Sequence, residues 1–166
     1  MAVKSITKKK INKAKKAKVQ DDRLRKIFGI VCYLLAIYLA IAFISYMYTW
    51  KTDQDKVLQF SWEIMMQGDL TVSNWLGRLG AFISNAFFYW GFGLPSIAFV
   101  FLLFKLGTDL IKKRSLQLFF YKAKDALLWI AFLSLVLEFL FRGSDFTWGG
   151  AFGESACLWL IHFVGS

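Results

Sequence analysis

Two long runs of apolar residues dominate the pattern of hydrophobic and polar positions along this chain. Residues 27–48 are twenty-two positions without a charge, and residues 79–104 form a second uncharged run. A helix rises ~1.5 Å per residue, so the first run makes a helix of roughly 33 Å, about the hydrocarbon thickness of a bilayer. Both runs predict helices that cross a membrane, and the fold class is predicted to be all-α.

Two shorter apolar segments, 126–141 and 151–166, predict two further spans. The last is short for a bilayer crossing, so we interpret it as truncated and the chain as the amino-terminal fragment of a longer protein. The sequence therefore predicts an integral membrane bundle of about four transmembrane helices over residues 27–166. A basic cytoplasmic tail, residues 1–26, precedes it.

Local features add detail to the four predicted spans. Apolar positions within 57–66 predict a short helix that lies at the outer membrane interface, and residues 116–121 predict another on the cytoplasmic face. Proline removes a backbone donor and glycine weakens a helix, so Gly91, Gly93 and Pro95 predict a kink or break inside the second span.

The positive charge is distributed unevenly. The chain has a net charge of +10 and 57% hydrophobic residues, and eleven of its basic residues fall in the 1–26 tail. A second basic cluster occupies 105–124, whereas the 49–78 connection carries both signs. Because Lys and Arg near span ends stay on the cytoplasmic side, both basic regions are predicted to be cytoplasmic and the connection outside. The tail lacks the aromatic residues of a nucleic-acid surface, which favours contact with lipid headgroups.

Three ionisable residues fall at membrane depth: Glu138, Arg142 and Glu154. Glu138 lies four residues before Arg142 on one helical face, so the two side chains can pair near the outer headgroups. An acid inside a membrane also marks proton or cation sites. The alternative hypothesis is therefore a small multi-pass transporter or channel subunit that uses both acids and the break near Pro95. The single histidine, His162, is interpreted as structural.

Sequence motifs for catalysis are missing from the chain. It contains no P-loop, no paired metal-ligand spacing and no Gly-x-Ser-x-Gly elbow. Cys32 and Cys157 lie on different apolar segments and form no disulfide or metal pattern. We therefore predict no catalytic, cofactor-binding or metal-ligating residue, and we expect this chain not to be an enzyme.

Short glycine-rich motifs carry a family resemblance. They lie along the second predicted span and at the start of the fourth. Their residues are Asn74, Gly77, Gly80, Ala81, Gly93, Ser96, Gly149, Gly150 and Gly153. With these motifs and the order of basic tail, spans and loops, the chain resembles the amino-terminal four-span membrane domain of the FtsK family of DNA translocases over residues 25–166.

The resemblance implies a function that the residues alone do not. It implies a multi-pass anchor in the bacterial inner membrane, at the division septum, that links cell division to chromosome segregation. The implied partners are the lipid bilayer, division-machinery membrane proteins and further copies of the chain, as a hexamer. ATP and DNA are implied only for a motor that this sequence does not contain.

Close helix packing is expected to hold the subunits of this anchor together. Four glycines at the heads of the second and fourth spans are assigned to it: Gly77, Gly80, Gly149 and Gly153. Trp62 and Trp75 are expected to face envelope partners.

Overall fold

The computed structural model describes the backbone of residues 2–57 and 71–165, with side chains from residues 22–53 and 71–165. Within these ranges the chain forms five α-helices and one 3-10 helix, without a strand. In chain order they are α1 (Ala2–Val57), α2 (Gly77–Phe88), the 3-10 helix (Leu94–Ile97), α3 (Ala98–Ile111), α4 (Leu116–Leu140) and α5 (Gly150–Val164). The all-α prediction is confirmed for the described residues.

Two helical segments are long and apolar enough to cross a membrane. They are Asp22–Asp53 of α1 and Leu94–Ile111, which joins the 3-10 helix to α3. Helix α4 has 25 residues but carries Lys124, Asp125 and Glu138, and α5 has only 15 residues. Length and composition therefore support two spans among the described residues, and the four-span bundle stays a prediction.

The helix boundaries match the predicted break in the second span and differ from the prediction in two other places. The 79–104 run is not one helix, because α2 ends at Phe88 and the next helical residue is Leu94, which places the break where glycine and proline predicted it. Residues 116–121 are not a separate interfacial helix, since no glycine or proline interrupts α4 after Leu116. Helix α1 also continues through the predicted tail. The interfacial helix expected over 57–66 falls almost wholly outside the described residues.

Small residues bring α1 and α3 together near the basic end of the predicted bundle. A Cβ atom at Gly107 would lie 2.9 Å from the carbonyl oxygen of Gly29, so the two backbones are almost in contact. One turn further along, the hydroxyl groups of Tyr33 and Thr108 lie 2.9 Å apart, and the Tyr33 and Phe104 rings lie 4.6 Å apart. Glycine at both positions permits this close antiparallel approach.

An aromatic core joins α1 to α2 near the other end. Phe43, Tyr46 and Phe88 are almost fully buried, with the Phe43 and Phe88 ring centroids 5.1 Å apart and the Tyr46 and Phe88 centroids 5.0 Å apart. Leu94 and Phe146 pack against this core. The segments that follow α2 and α4 therefore meet the same surface of α1.

Ion pairs at the two ends of the α1 span link segments that are far apart in sequence. Lys51 contacts Asp145 at 2.9 Å, and Asp22 contacts Lys113 at 2.6 Å. The first pair joins the outer loop of the sequence prediction to the turn after α4. The second joins the two regions predicted to be cytoplasmic, so both pairs agree with the predicted sides.

Candidate functional site

The motif residues at the start of α2 form a compact turn, which we call the elbow (residues 73–81). The Asn74 side chain donates from Nδ2 to the carbonyl oxygen of Ala42 on α1, at 3.2 Å. Its Oδ1 accepts from the backbone N–H of Leu76, at 3.0 Å, and its carbonyl accepts from Gly77. A Cβ atom at Gly80 would lie 2.5 Å from Asn74 Oδ1. Asn74 therefore both caps the turn and attaches it to α1.

Two polar residues of α1 hold the same elbow, and the sequence did not single out either. Ser45 Oγ accepts a hydrogen bond from the backbone N–H of Trp75, at 2.9 Å, and Asp53 Oδ1 accepts one from Ser73, at 2.7 Å. Both Ser45 and Asp53 are buried. A buried polar group costs free energy unless it is bonded, and here each satisfies a backbone donor that no helix satisfies.

The remaining motif residues meet in a second cluster, which we call the glycine junction (residues 89–96 and 148–153). Three backbone hydrogen bonds cross it. Leu94 N–H donates to the Trp148 carbonyl at 2.9 Å, Ala151 N–H donates to Tyr89 at 2.8 Å, and Phe152 N–H donates to Gly91 at 3.1 Å. The first N–H groups of a helix have no hydrogen-bond partner inside the helix. For α5, carbonyl groups of the chain that follows α2 are these partners.

Gly93 and Gly150 are required at the junction for two reasons. Their φ angles are +69° and +64°, positive values that residues with a side chain rarely adopt. Neither position has room for a Cβ atom. At Gly93 it would collide with the carbonyl of Trp148, and at Gly150 it would lie 2.5 Å from the carbonyl oxygen of Gly91.

Gly149 and Gly153 bring α5 against Ser134 of α4. A Cβ atom at Gly149 would lie 2.5 Å from the Ser134 carbonyl oxygen, and one at Gly153 would lie 2.6 Å from it. Ser134 Oγ donates to the Gly149 carbonyl at 2.5 Å and is fully buried. On the other side of the junction, Ser96 Oγ donates to the Phe87 carbonyl at 2.6 Å, which closes the end of α2.

The geometry agrees with the comparison against known families. The family described as the 4TM region of DNA translocase FtsK/SpoIIIE matches residues 21–166. This chain belongs to that family. No curated protein and no solved structure matches it.

The FtsK/SpoIIIE match confirms the resemblance and covers both the elbow and the glycine junction. The matched region is the membrane domain of a translocase and not its motor. Within the chain, Gly80, Gly149 and Gly153 pack against residues of the same subunit. Gly77 has a φ angle of +67° and no atom within 4 Å of a Cβ position, so it serves the turn and not a helix contact.

The intramembrane polar residues lie next to the junction. Glu138, Arg142 and Glu154 line one cavity of about 370 Å³, together with Tyr89 and Trp90. Within the described part of the chain Glu138 and Arg142 form no ion pair within 4 Å, so the pairing that the sequence predicted is not present. The cavity adjoins the turn after α4, at one end of that helix, which favours a binding site over a path through the membrane.

The His, Cys, Asp and Glu side chains of the described residues form no group that could hold a metal ion. His162 Nδ1 lies 2.7 Å from the Leu158 carbonyl of its own helix. The sequence analysis missed Ser134, which packs on the junction at Gly149 and Gly153, because a single serine in an apolar helix gives no signal of what it contacts.

Proposed function

We propose that this chain is the membrane anchor of an FtsK/SpoIIIE-type DNA translocase that links cell division at the septum to chromosome segregation. The family match over residues 21–166 carries the proposal. The anchor would lie in the bacterial inner membrane with four spans and a cytoplasmic amino terminus. ATP hydrolysis and DNA binding would belong to a motor outside this sequence.

The two motif clusters suggest how such an anchor resists force. The elbow attaches α2 to α1 through Asn74, and the junction attaches α5 to the end of α2 through backbone hydrogen bonds. Close contact at Gly29 attaches α3 to α1. A pull on a cytoplasmic motor would therefore be shared among all the helices and not borne by one.

Association between copies would use surfaces other than Gly80, Gly149 and Gly153, which pack within the subunit. The outward face of α4 exposes Leu128, Trp129 and Phe132, which are 63%, 63% and 53% exposed. We propose this face for contact with lipid and with further copies, in a homo-oligomer such as the implied hexamer. Trp75, which is 66% exposed, stays a candidate contact for division-machinery proteins, and Trp62 lies outside the described residues.

The test is the location of a fluorescent fusion of residues 1–166 in dividing cells of the source bacterium. The fusion should be enriched at the septum. Gly93→Val should abolish the enrichment while the protein remains in the membrane fraction, because the junction cannot close. Gly143→Val is the control, since Gly143 also has a positive φ but nothing within 4 Å of its Cβ position. A wild-type fusion spread evenly around the membrane would refute the septal function.

A further inference from the structure

The cavity beside the junction adjoins an apolar groove. The cavity of about 370 Å³ carries Glu138, Arg142 and Glu154, and the groove of about 550 Å³ lies between α4 and α5. Cys157 lines both. The rest of the groove is apolar, with Leu135 among its lining residues. A polar chamber joined to an apolar one has the shape of a site for an amphiphile.

Contacts with α1 place the polar chamber at the level of the lipid headgroups. The turn that follows α4 contacts Lys51 through Asp145, and Lys51 comes just after the uncharged run of α1. Phe146, which lines the cavity, packs on Trp50 with ring centroids 5.4 Å apart. Trp and Tyr side chains are typical of this level, and Tyr89 and Trp90 line the cavity as well.

The charges of the chamber select the headgroup. Glu138 of α4 and Glu154 of α5 provide two carboxylates, and Arg142, in the turn that follows α4, provides one guanidinium. None of the three forms an ion pair within 4 Å with any described residue. A guanidinium binds phosphate, and carboxylates accept hydrogen bonds from an ammonium group. A ligand that offers phosphate and a primary ammonium group would satisfy all three.

We propose that the cavity and groove bind one phospholipid with a zwitterionic primary-amine headgroup, of the phosphatidylethanolamine class. Its phosphate would contact Arg142, its ammonium would donate to Glu138 and Glu154, and an acyl chain would lie in the groove. A choline headgroup has no N–H to donate, and a glycerol headgroup leaves both carboxylates without a cation. The site therefore prefers ethanolamine over choline and glycerol headgroups of the same acyl chains.

The experiment measures lipid retention by native mass spectrometry of the purified 166-residue protein, with phosphatidylethanolamine, phosphatidylcholine and phosphatidylglycerol supplied at equal concentration. Phosphatidylethanolamine should be retained most. In Glu138→Gln/Glu154→Gln this preference should fall by roughly ten-fold, because glutamine still accepts a hydrogen bond but no longer offers the negative charge that strengthens it. Asp145→Asn is the control, because it removes an acid that lies between α4 and α5 and does not line the cavity, and it should keep the preference.

A second variant tests the groove. Leu135→Trp should fill it and reduce retention of all three lipids together. Equal retention of the three lipids by the wild-type protein would overturn the proposal without depending on the folding of any variant. It would also be overturned if Asp145→Asn lost the preference as strongly as the double variant. If Leu135→Trp instead lowered the number of subunits and left lipid retention unchanged, the groove would hold a second copy of the chain, and the lipid proposal would be wrong.

Discussion

The glycines of this membrane domain differ in what each position demands of the residue there. Gly93 and Gly150 combine a positive φ angle with a lack of space, whereas Gly77 has a similar φ angle, +67°, in open surroundings. Gly153 has a helical backbone and lacks only space. Glycines that look equivalent in the sequence therefore have three physical roles: a positive φ angle without space, a positive φ angle with space, and a lack of space alone. Substitutions can separate these roles.

Gly93→Ala and Gly77→Ala each place a methyl group at a positive φ angle, +69° and +67°, the first in a crowded position and the second in an open one. Gly77→Ala should cost roughly 1–2 kcal/mol of unfolding free energy for the left-handed conformation alone. Gly93→Ala should cost a further ~1–3 kcal/mol, the usual range for overpacking, since its Cβ collides with the Trp148 carbonyl. Denaturation in detergent micelles, followed by circular dichroism, measures both. Equal losses would mean that the junction can open to admit the methyl group.

At the scale of helices, each pair is joined by small or polar residues at one crossing. Gly29 brings α1 to α3, Asn74 brings α2 to α1, and Ser134 brings α4 to α5. Sequence reasoning predicted the break before Pro95, because a missing backbone donor is a local property. It could not predict that the freed backbone would bond to the start of α5, since that partner lies more than fifty positions away.

The α4–α5 crossing predicts a strong effect at Ser134. Ser134→Ala should cost ~1 kcal/mol for the lost hydrogen bond to the Gly149 carbonyl. Ser134→Leu should cost ~1–3 kcal/mol more, because the larger side chain meets the α5 backbone at Gly153. Ser155→Leu is the control, since Ser155 is exposed on α5. Thermal unfolding in micelles measures the stability of the three variants. If Ser134→Leu were as stable as Ser155→Leu, the close packing of Ser134 against α5 would be contradicted.

The elbow predicts a graded series at Asn74. Asn74→Ala removes a donor to the Ala42 carbonyl and an acceptor for Leu76 N–H, so it should cost about 2 kcal/mol. Asn74→Asp keeps the oxygen that accepts from Leu76 N–H, so the turn should be retained. It loses the N–H that donates to the Ala42 carbonyl, so the contact with α1 should be lost. Cysteine cross-linking between α1 and the elbow should fall in both variants. If the aspartate variant cross-linked as well as wild type, the hydrogen bond from Asn74 to the Ala42 carbonyl would not hold the elbow against α1.

At the scale of the whole molecule, sequence reasoning succeeded where the signal is local and additive. Apolar length predicted the helices, and the FtsK/SpoIIIE match to a membrane domain covers the chain from residue 21 onward, whereas the membrane sides that lysine position predicts stay a prediction. The grouping of motif residues into an elbow and a junction was not predictable, because it depends on which helices meet. The same holds for the cavity, where Glu138 and Glu154 approach from different helices and their expected partner Arg142 does not close on either.

The ion pairs at the two ends of α1 allow the sides of the membrane to be tested together with the packing. In a Cys32→Ala/Cys157→Ala background, Lys51→Cys with Asp145→Cys should cross-link through a short bis-maleimide, because the native side-chain atoms lie 2.9 Å apart. Asp22→Cys with Lys113→Cys should do the same, from a native distance of 2.6 Å. An impermeant maleimide added to intact spheroplasts should block only the first pair, since lysine-rich segments are retained on the cytoplasmic side. Blocking of both pairs from outside would contradict the predicted crossing of α1, whereas cross-linking of neither would contradict the packing of α1 against the other helices.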